Sequence, residues 1–401
     1  LVSATPPQRP LPTMRRCILG RLPVRTELHK RTRHGATVAV RSLGTKATDR
    51  LVIPAASSFT EWGKLKVVVL GRISNDSYLD SELSWQRQEA AVMHDEKGEL
   101  SCAHPGGFLE PRVVDEARED LDIIHKQLED AGVTVLRPDH TPTATFSTPS
   151  WSARTYFPYC PRDVLLTMGT TVVETPSPNR ARYFETFAYK RIIEGLLDAG
   201  TPTIGPQKPR LMDEMFGGPA SDGCFLAEDE PCFDAANVLR CGRDVLYQVS
   251  HSGNARGATW LQKVFPQFRV HLIRNVYTGI HLDTTFVMLR PGLFLANPDR
   301  VKDKSVLPPF LRKWKMLVPP EPVSVVNSDQ PLLSSGWIGI NMLQLSENLA
   351  AVCSKQVALI KMLEQHGIDV IPVTLRHAQS LGGGIKCCTL DLLREDELTD
   401  Y

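Results

Sequence analysis

The sequence predicts an α/β chain: a five-fold pseudosymmetric propeller of ββαβ units around a central active site. Three observations carry that prediction. The same order of elements, a β-type pair joined by a turn, a helical stretch and a short strand, recurs five times. A strand is left over at the C-terminus. Polar clusters fall at equivalent places in the repeats. Closing such units into a ring removes exposed sheet edges, although five similar units also suit a stacked solenoid.

The second unit reads most clearly. PRDVLLTMGTTVVETP (161–176) places two β-branched runs around Gly169, a hairpin pattern. ARYFETFAYKRIIEGLLDAG (181–200) has apolar residues at helical spacing and ends on Gly200, suited to the C-cap. TPTIGP (201–206) reads as the short strand. In the third unit the order is NVLRCGRDVLYQV (237–249), helical GATWLQKVF and strand FRVHLI. The fourth has TTFVMLRPGLFLAN (284–297), VLPPFLRKW and KMLVPP; the fifth has MLQLSENLAAVC (342–353), KQVALIKMLEQHG and IDVIPV. The first is less regular: LKVVVLGR (65–72), a long polar insertion, VVDEAREDLDIIHKQLEDAG (113–132) and VTVLRP. The surplus strand CCTLDLL (387–393) is available to complete this first unit and close the ring.

With 401 residues, 42% of them hydrophobic, the chain can bury one large core or two ordinary ones. Its 46 basic and 45 acidic residues nearly cancel, which gives no electrostatic support to a nucleic-acid or acidic-membrane partner. No apolar run approaches the roughly 20 residues that span a bilayer. Nine cysteines without a CxxC pair or a Cys–His ligand spacing argue against a disulfide framework or a structural zinc site, and for a reducing compartment. The stretch 1–49 is rich in arginine (Arg15, Arg16, Arg21, Arg25, Arg31, Arg33, Arg41), with Glu27 and Asp49 its only acidic residues. Arg-rich, acid-poor composition is that of an organelle transit peptide, with a disordered basic tail as the plainer reading. The expected organisation is a transit or disordered segment over 1–56 and a single domain over 57–401. A mitochondrial location is expected first, with plastid or cytoplasm as alternatives.

Pro161-Arg162-Asp163, Phe233-Asp234-Ala235-Ala236-Asn237, His281-Leu282-Asp283 and Ser334-Ser335 sit just before or at the start of hairpins. Gly382-Gly383-Gly384-Ile385-Lys386-Cys387-Cys388 precedes the surplus strand. Singly, each has an ordinary explanation. An Asp before a strand is usually a turn former, a lone His is often structural, and a free Cys is usually a buried thiol. Three glycines permit positive φ and close backbone approach, or simply a flexible loop. Recurrence at matching positions is what favours function, because a propeller would bring these places to one cavity.

The clusters Pro161-Arg162-Asp163, Glu230-Pro231-Cys232-Phe233-Asp234-Ala235-Ala236, His281-Leu282-Asp283, Asn297-Pro298-Asp299-Arg300 and Leu381-Gly382-Gly383-Gly384 followed by Cys387 resemble those of the glycine amidinotransferase family. So does the opening Glu61-Trp62-Gly63-Lys64-Leu65-Lys66-Val67-Val68-Val69-Leu70-Gly71. The likeness runs in order from about Phe59 to about Arg394. It implies a five-fold α/β propeller and transfer of the amidino group of arginine to an amine through a covalent amidino-cysteine. Glycine is the first acceptor it implies, which would place the chain in creatine biosynthesis. The resemblance assigns Cys387 as nucleophile, His281 as acid/base, Asp234 as its partner, and Asp163 and Asp283 as guanidinium ligands. It assigns Arg300, Ser334 and Ser335 to the amino-acid end of the substrate. It requires no metal and no cofactor; the partners are small-molecule substrates, with room for a homodimer.

The residue types suit that chemistry. Guanidinium is planar and permanently charged with five N–H donors, and a carboxylate can take two of them in parallel. A thiolate is a far stronger nucleophile than an unactivated hydroxyl. An ordinary cysteine is only about 3% ionised at pH 7, and an imidazolium at His281 is expected to raise that fraction. Two segments depart from the family. Lys386 precedes the nucleophile where the family usually has His. In 275–280, Thr278 and Ile280 replace the Asn and Met that the glycine enzymes carry ahead of the catalytic histidine, in a loop near the acceptor. Inosamine-type and toxin-pathway amidinotransferases share the framework, and an arginine deiminase, with water as final nucleophile, uses the same triad.

Overall fold

The computed structural model describes residues 50–93, 106–217, 224–324 and 332–401. The Arg-rich stretch read as a transit peptide lies outside them. Within the compact unit Thr48–Tyr401, packing has begun before residue 57: Ile53 and Ala56 are buried. No helix among the described residues is long and apolar enough to cross a membrane.

Five three-stranded sheets form, each an antiparallel pair with a third strand added in parallel. The second comprises Leu165–Met168, Thr171–Glu174 and Thr203–Ile204. The third comprises Val238–Cys241, Asp244–Gln248 and Arg269–Ile273. Phe286–Arg290, Leu293–Ala296 and Lys315–Leu317 make the fourth; Leu343–Ser346, Leu349–Cys353 and Asp369–Val373 make the fifth. In the first, the C-terminal strand Thr389–Glu395 pairs antiparallel with Lys64–Leu70, which pairs parallel with Thr134–Leu136. The surplus strand therefore completes the first unit, as the repeat predicts.

A helix links the second and third strands of each sheet because it must bury one apolar stripe. Pro111–Asp130 does so with Val113, Val114, Ala117, Leu121, Ile124 and Leu128. Two helices are shorter than the sequence suggests. The 181–200 stretch begins as 3-10 turns and becomes α-helical only over Lys190–Asp198. In the fourth unit a 3-10 turn, Lys304–Val306, precedes an α-helix of only Pro309–Arg312, since Pro308 and Pro309 lack the N–H a longer helix would use.

Hydrogen bonds between the first strands of neighbouring sheets close the ring. Thr167 Oγ1 donates to Asp391 O (2.8 Å), Arg240 Nη1 to Thr167 O (2.8 Å), Gln344 Nε2 to Leu289 O (2.8 Å) and Arg394 Nη1 to Gln344 O (3.0 Å). The third and fourth sheets share a buried cluster containing Leu239, Phe286 and Met288. The architecture is a five-bladed α/β propeller, not a solenoid, and the five polar clusters all precede innermost strands.

Candidate active site

Short turns at the entrances of the innermost strands hold the site. Asp163 lies in the single helical turn Pro161–Val164, and Asp234 directly precedes the 3-10 turn Ala235–Asn237. Leu282 N donates to Ala236 O (3.0 Å), pinning the His281–Asp283 turn against the Asp234 turn. His281 Nε2 consequently lies 2.9 Å from Asp234 Oδ2, and Nδ1 lies 3.8 Å from Asp163 Oδ1. Burial opposes charge on the imidazole, but Asp163, Asp234 and Asp283 outweigh it and push its pKa up to about 9.

The Cys387 thiol donates to Asp283 Oδ2 at 3.4 Å. Asn341 Oδ1 accepts from both Lys386 N (2.9 Å) and Cys387 N (3.2 Å), fixing the backbone of the turn that carries Cys387. Two of the three glycines have distinct reasons. Gly382 has φ +68°, and a Cβ on Gly384 would stand 2.6 Å from Asn341 Oδ1. The close approach is to the protein's own side chain, not to a ligand.

One electrostatic expectation is corrected. Burial, with Asp283 and Asp163 adding to it, pushes the Cys387 thiol well above its ordinary value, so the imidazolium does not by itself supply a thiolate. Nor does Lys386 help: its Nζ bonds the Glu61 carboxylate within a buried network. Glu61 Oε1 accepts from Arg240 Nε at 3.1 Å, and Arg240 Nη2 reaches Asp391 at 2.6 Å. Against the pull of burial, Arg240, Lys386 and Arg162 hold Glu61 ionised.

A cleft of about 550 Å³, its solvent-open mouth included, is lined by Asp163, Asp234, Ile280 and His281 together with Trp85, Gln88, Tyr156, Asn179, Arg182, Leu332, Leu333 and Gly382. Thr278 is not in that lining; its carbonyl accepts from His251 N at 3.0 Å. Arg300 is also outside it, donating to Thr284 Oγ1 (2.8 Å), Thr285 Oγ1 (2.9 Å) and Ser335 Oγ (3.4 Å). Its guanidinium carbon lies 3.5 Å from the centre of the Tyr277 ring. Ser334 Oγ is buried with no hydrogen-bond partner.

Residue-by-residue reading missed Arg182, which bonds Asp163 (2.8 Å) and Glu185 (3.0 Å) while lying over Tyr156. Burial raises Glu185 to about 8. The only hint in the sequence is an Arg and a Glu at i,i+3 in an apolar stretch. Trp85 and Gln88 carried no hint beyond the unexplained insertion in the first unit, and Asn341, just ahead of the fifth unit, carried none.

No family model matches the chain. Among curated proteins it is 42% identical over 348 residues to inosamine-phosphate amidinotransferase 1 of Streptomyces glaucescens, covering 86% of this chain and 98% of that one. Mitochondrial glycine amidinotransferase of Gallus gallus is 34% identical over 363 residues, covering 86% and 84%. Among solved structures, the inosamine-phosphate amidinotransferase of Streptomyces griseus superposes with a TM-score of 0.80 at 39% identity, over 87% of this chain and 99% of that one. Near-complete coverage at such identity, on a shared propeller, makes this chain a member of the amidinotransferase family and an enzyme of amidino transfer.

Proposed function

We propose that the enzyme takes the amidino group of arginine onto Cys387 and passes it to an amine larger than glycine. The carboxylates gathered around His281 carry the reading. Asp163, Asp234 and Asp283 surround an imidazole that they keep protonated, so the site is rich in carboxylates and suited to a guanidinium. Asp163 and Asp283 would flank that cation, with Arg300, Ser334 and Ser335 at the amino-acid end. A guanidinium among these carboxylates offsets the charges that keep the Cys387 thiol protonated.

In the first half-reaction the S–C bond forms as the C–N bond to ornithine breaks. His281, held by Asp234, gives its proton to the departing nitrogen and recovers one from the thiol. In the second half the amine attacks the amidino carbon, the S–C bond breaks, and the amine's proton returns to sulfur through His281. Arginine and the amine thus become ornithine and a guanidino product.

Glycine is the acceptor that the sequence motifs suggest first. Ile280 in the cavity wall and the 42% identity to enzymes named for inosamine-phosphate favour a bulkier one. The test incubates arginine with glycine and with larger amines, reading products by mass spectrometry. Ornithine and a guanidino product, with larger amines ahead of glycine in kcat/KM, are expected. Glycine as the best acceptor would overturn the acceptor assignment, and citrulline formed without an amine would make the enzyme a deiminase.

A further inference from the structure

We propose that Tyr277 is a positioning residue for the donor half-reaction: its ring holds the Arg300 guanidinium in the plane that receives the carboxylate of arginine. The proposal rests on the transferase reading above, with Arg300 at the amino-acid end, and adds a residue that this reading does not use.

The segment 275–280 sends its side chains to different places. Ile280 lines the cleft beside His281. Tyr277 turns instead to Arg300, whose guanidinium carbon stands 3.5 Å from the ring centre, the spacing of two surfaces in contact. Guanidinium is planar and weakly hydrated, so it stacks on an aromatic face, where the ring quadrupole also attracts its charge. Tyr277 is half-buried and Arg300 is buried. The contact is therefore made largely out of water, where it is strongest.

The ring is itself held. Asn275, with φ +56°, turns the chain at the start of the segment. Beyond Tyr277, the Thr278 and Gly279 carbonyls accept from His251 N at 3.0 and 2.9 Å, and the Ile280 carbonyl accepts from Ser250 Oγ at 2.6 Å. A Cβ on Gly279 would stand 2.1 Å from both Cζ and Oη of Tyr277, so the ring lies directly against the Gly279 backbone. Glycine alone leaves it that room.

The guanidinium is tied at its edge as well. Nη1 donates to Thr284 Oγ1 and Thr285 Oγ1, and Nη2 to Ser335 Oγ. Thr284 and Thr285 directly follow Asp283, so these bonds place the guanidinium relative to the site. Hydrogen bonds at an edge leave the faces to other contacts, and the Tyr277 ring covers one of them. A carboxylate takes two parallel N–H bonds only from a guanidinium whose plane is set. A side chain ordered in advance also costs less to bind than one that must be immobilised.

The experiment measures formation of the amidino adduct on Cys387 by rapid acid quench and mass spectrometry, at subsaturating donor and with no acceptor present. Each full-length protein receives arginine or argininamide, whose carboxamide keeps the shape of the carboxylate without its charge. The readout is the ratio of the two second-order rate constants, in which losses of folded enzyme cancel. The wild type should prefer arginine. Tyr277→Leu should lower that preference about 2- to 10-fold, the cost of immobilising one freed side chain. Tyr277→Phe, which keeps the ring, should retain the preference. Gly279→Ala, which pushes the ring from its place, should behave as Tyr277→Leu. An unchanged ratio in Tyr277→Leu, or an equal fall in Tyr277→Phe, overturns the proposal. Arg300→Lys separates the layers. A preference lost there but kept in Tyr277→Leu overturns the role of Tyr277 alone, whereas one kept in Arg300→Lys, or absent from the wild type, overturns the placing of Arg300. No adduct from arginine in the wild type overturns the transferase reading itself.

Discussion

Neutralising Asp234 tests how the site stores its proton. Asp234→Asn keeps the shape beside His281 Nε2, at 2.9 Å, but removes the charge. In the wild type the imidazole pKa stands near 9 against an ordinary 6.5. That rise corresponds to about 3 kcal/mol, the net of a burial cost and three favourable carboxylates. Asp234 contributes both a hydrogen bond and a charge, so its neutralisation should lower the pKa by about one unit or more. At pH 8 the imidazolium fraction would fall from about nine-tenths to about one-half or below. The assay is the pH dependence of kcat/KM for arginine, whose basic limb reports the free enzyme's essential acid. The wild-type limb should fall near 9 and that of Asp234→Asn about a unit or more lower. Stability follows the same sign: because the folded pKa is raised, the pairing contributes fully below about 6.5 and is lost as pH rises through about 9. A wild-type limb near 6.5, or one that Asp234→Asn does not move, would refute the reasoning.

Rapid acid quench after mixing with arginine should leave an amidino adduct on Cys387, and Cys387→Ser should bind arginine without turnover; an adduct on Cys388, whose thiol burial pushes up to about 12, would sink the assignment. Lys386→Met breaks a buried pair in a network that retains the Arg240–Glu61 contact, so a loss of about 3 kcal/mol is expected, visible as a lower Tm. If Tm holds while iodoacetamide modifies Cys387 more slowly, Lys386 serves the thiolate and the structural reading fails.

The recurrence of a hairpin, a helix and a strand was legible because period and turn residues are local properties. Gly169 occupies its hairpin turn with φ +60° and Gly200 follows its helix with φ +89°, where positive φ is needed. The surplus strand at 389–395 announced closure, since a ring must end by returning to its first sheet. The convergence of the polar clusters was legible too, because each stands at the entrance to an innermost strand, and such entrances meet at the axis of a ring. What the tertiary structure decided is which charges meet. Arg240 reaches Glu61 across 179 positions and Lys386 reaches it across 325, so no local pattern shows that Lys386 is committed away from its neighbour Cys387. Burial is likewise a property of the whole ring: it raises the Cys387 thiol, where sequence alone suggested that His281 would lower it. The insertion read only as a long polar loop supplies Trp85 and Gln88 to the cavity wall, because folding lays it across the site. Sequence determined the order of blades and the polar clusters at their entrances. The packing of distant blades decided the electrostatics those clusters feel and the polar wall beside them.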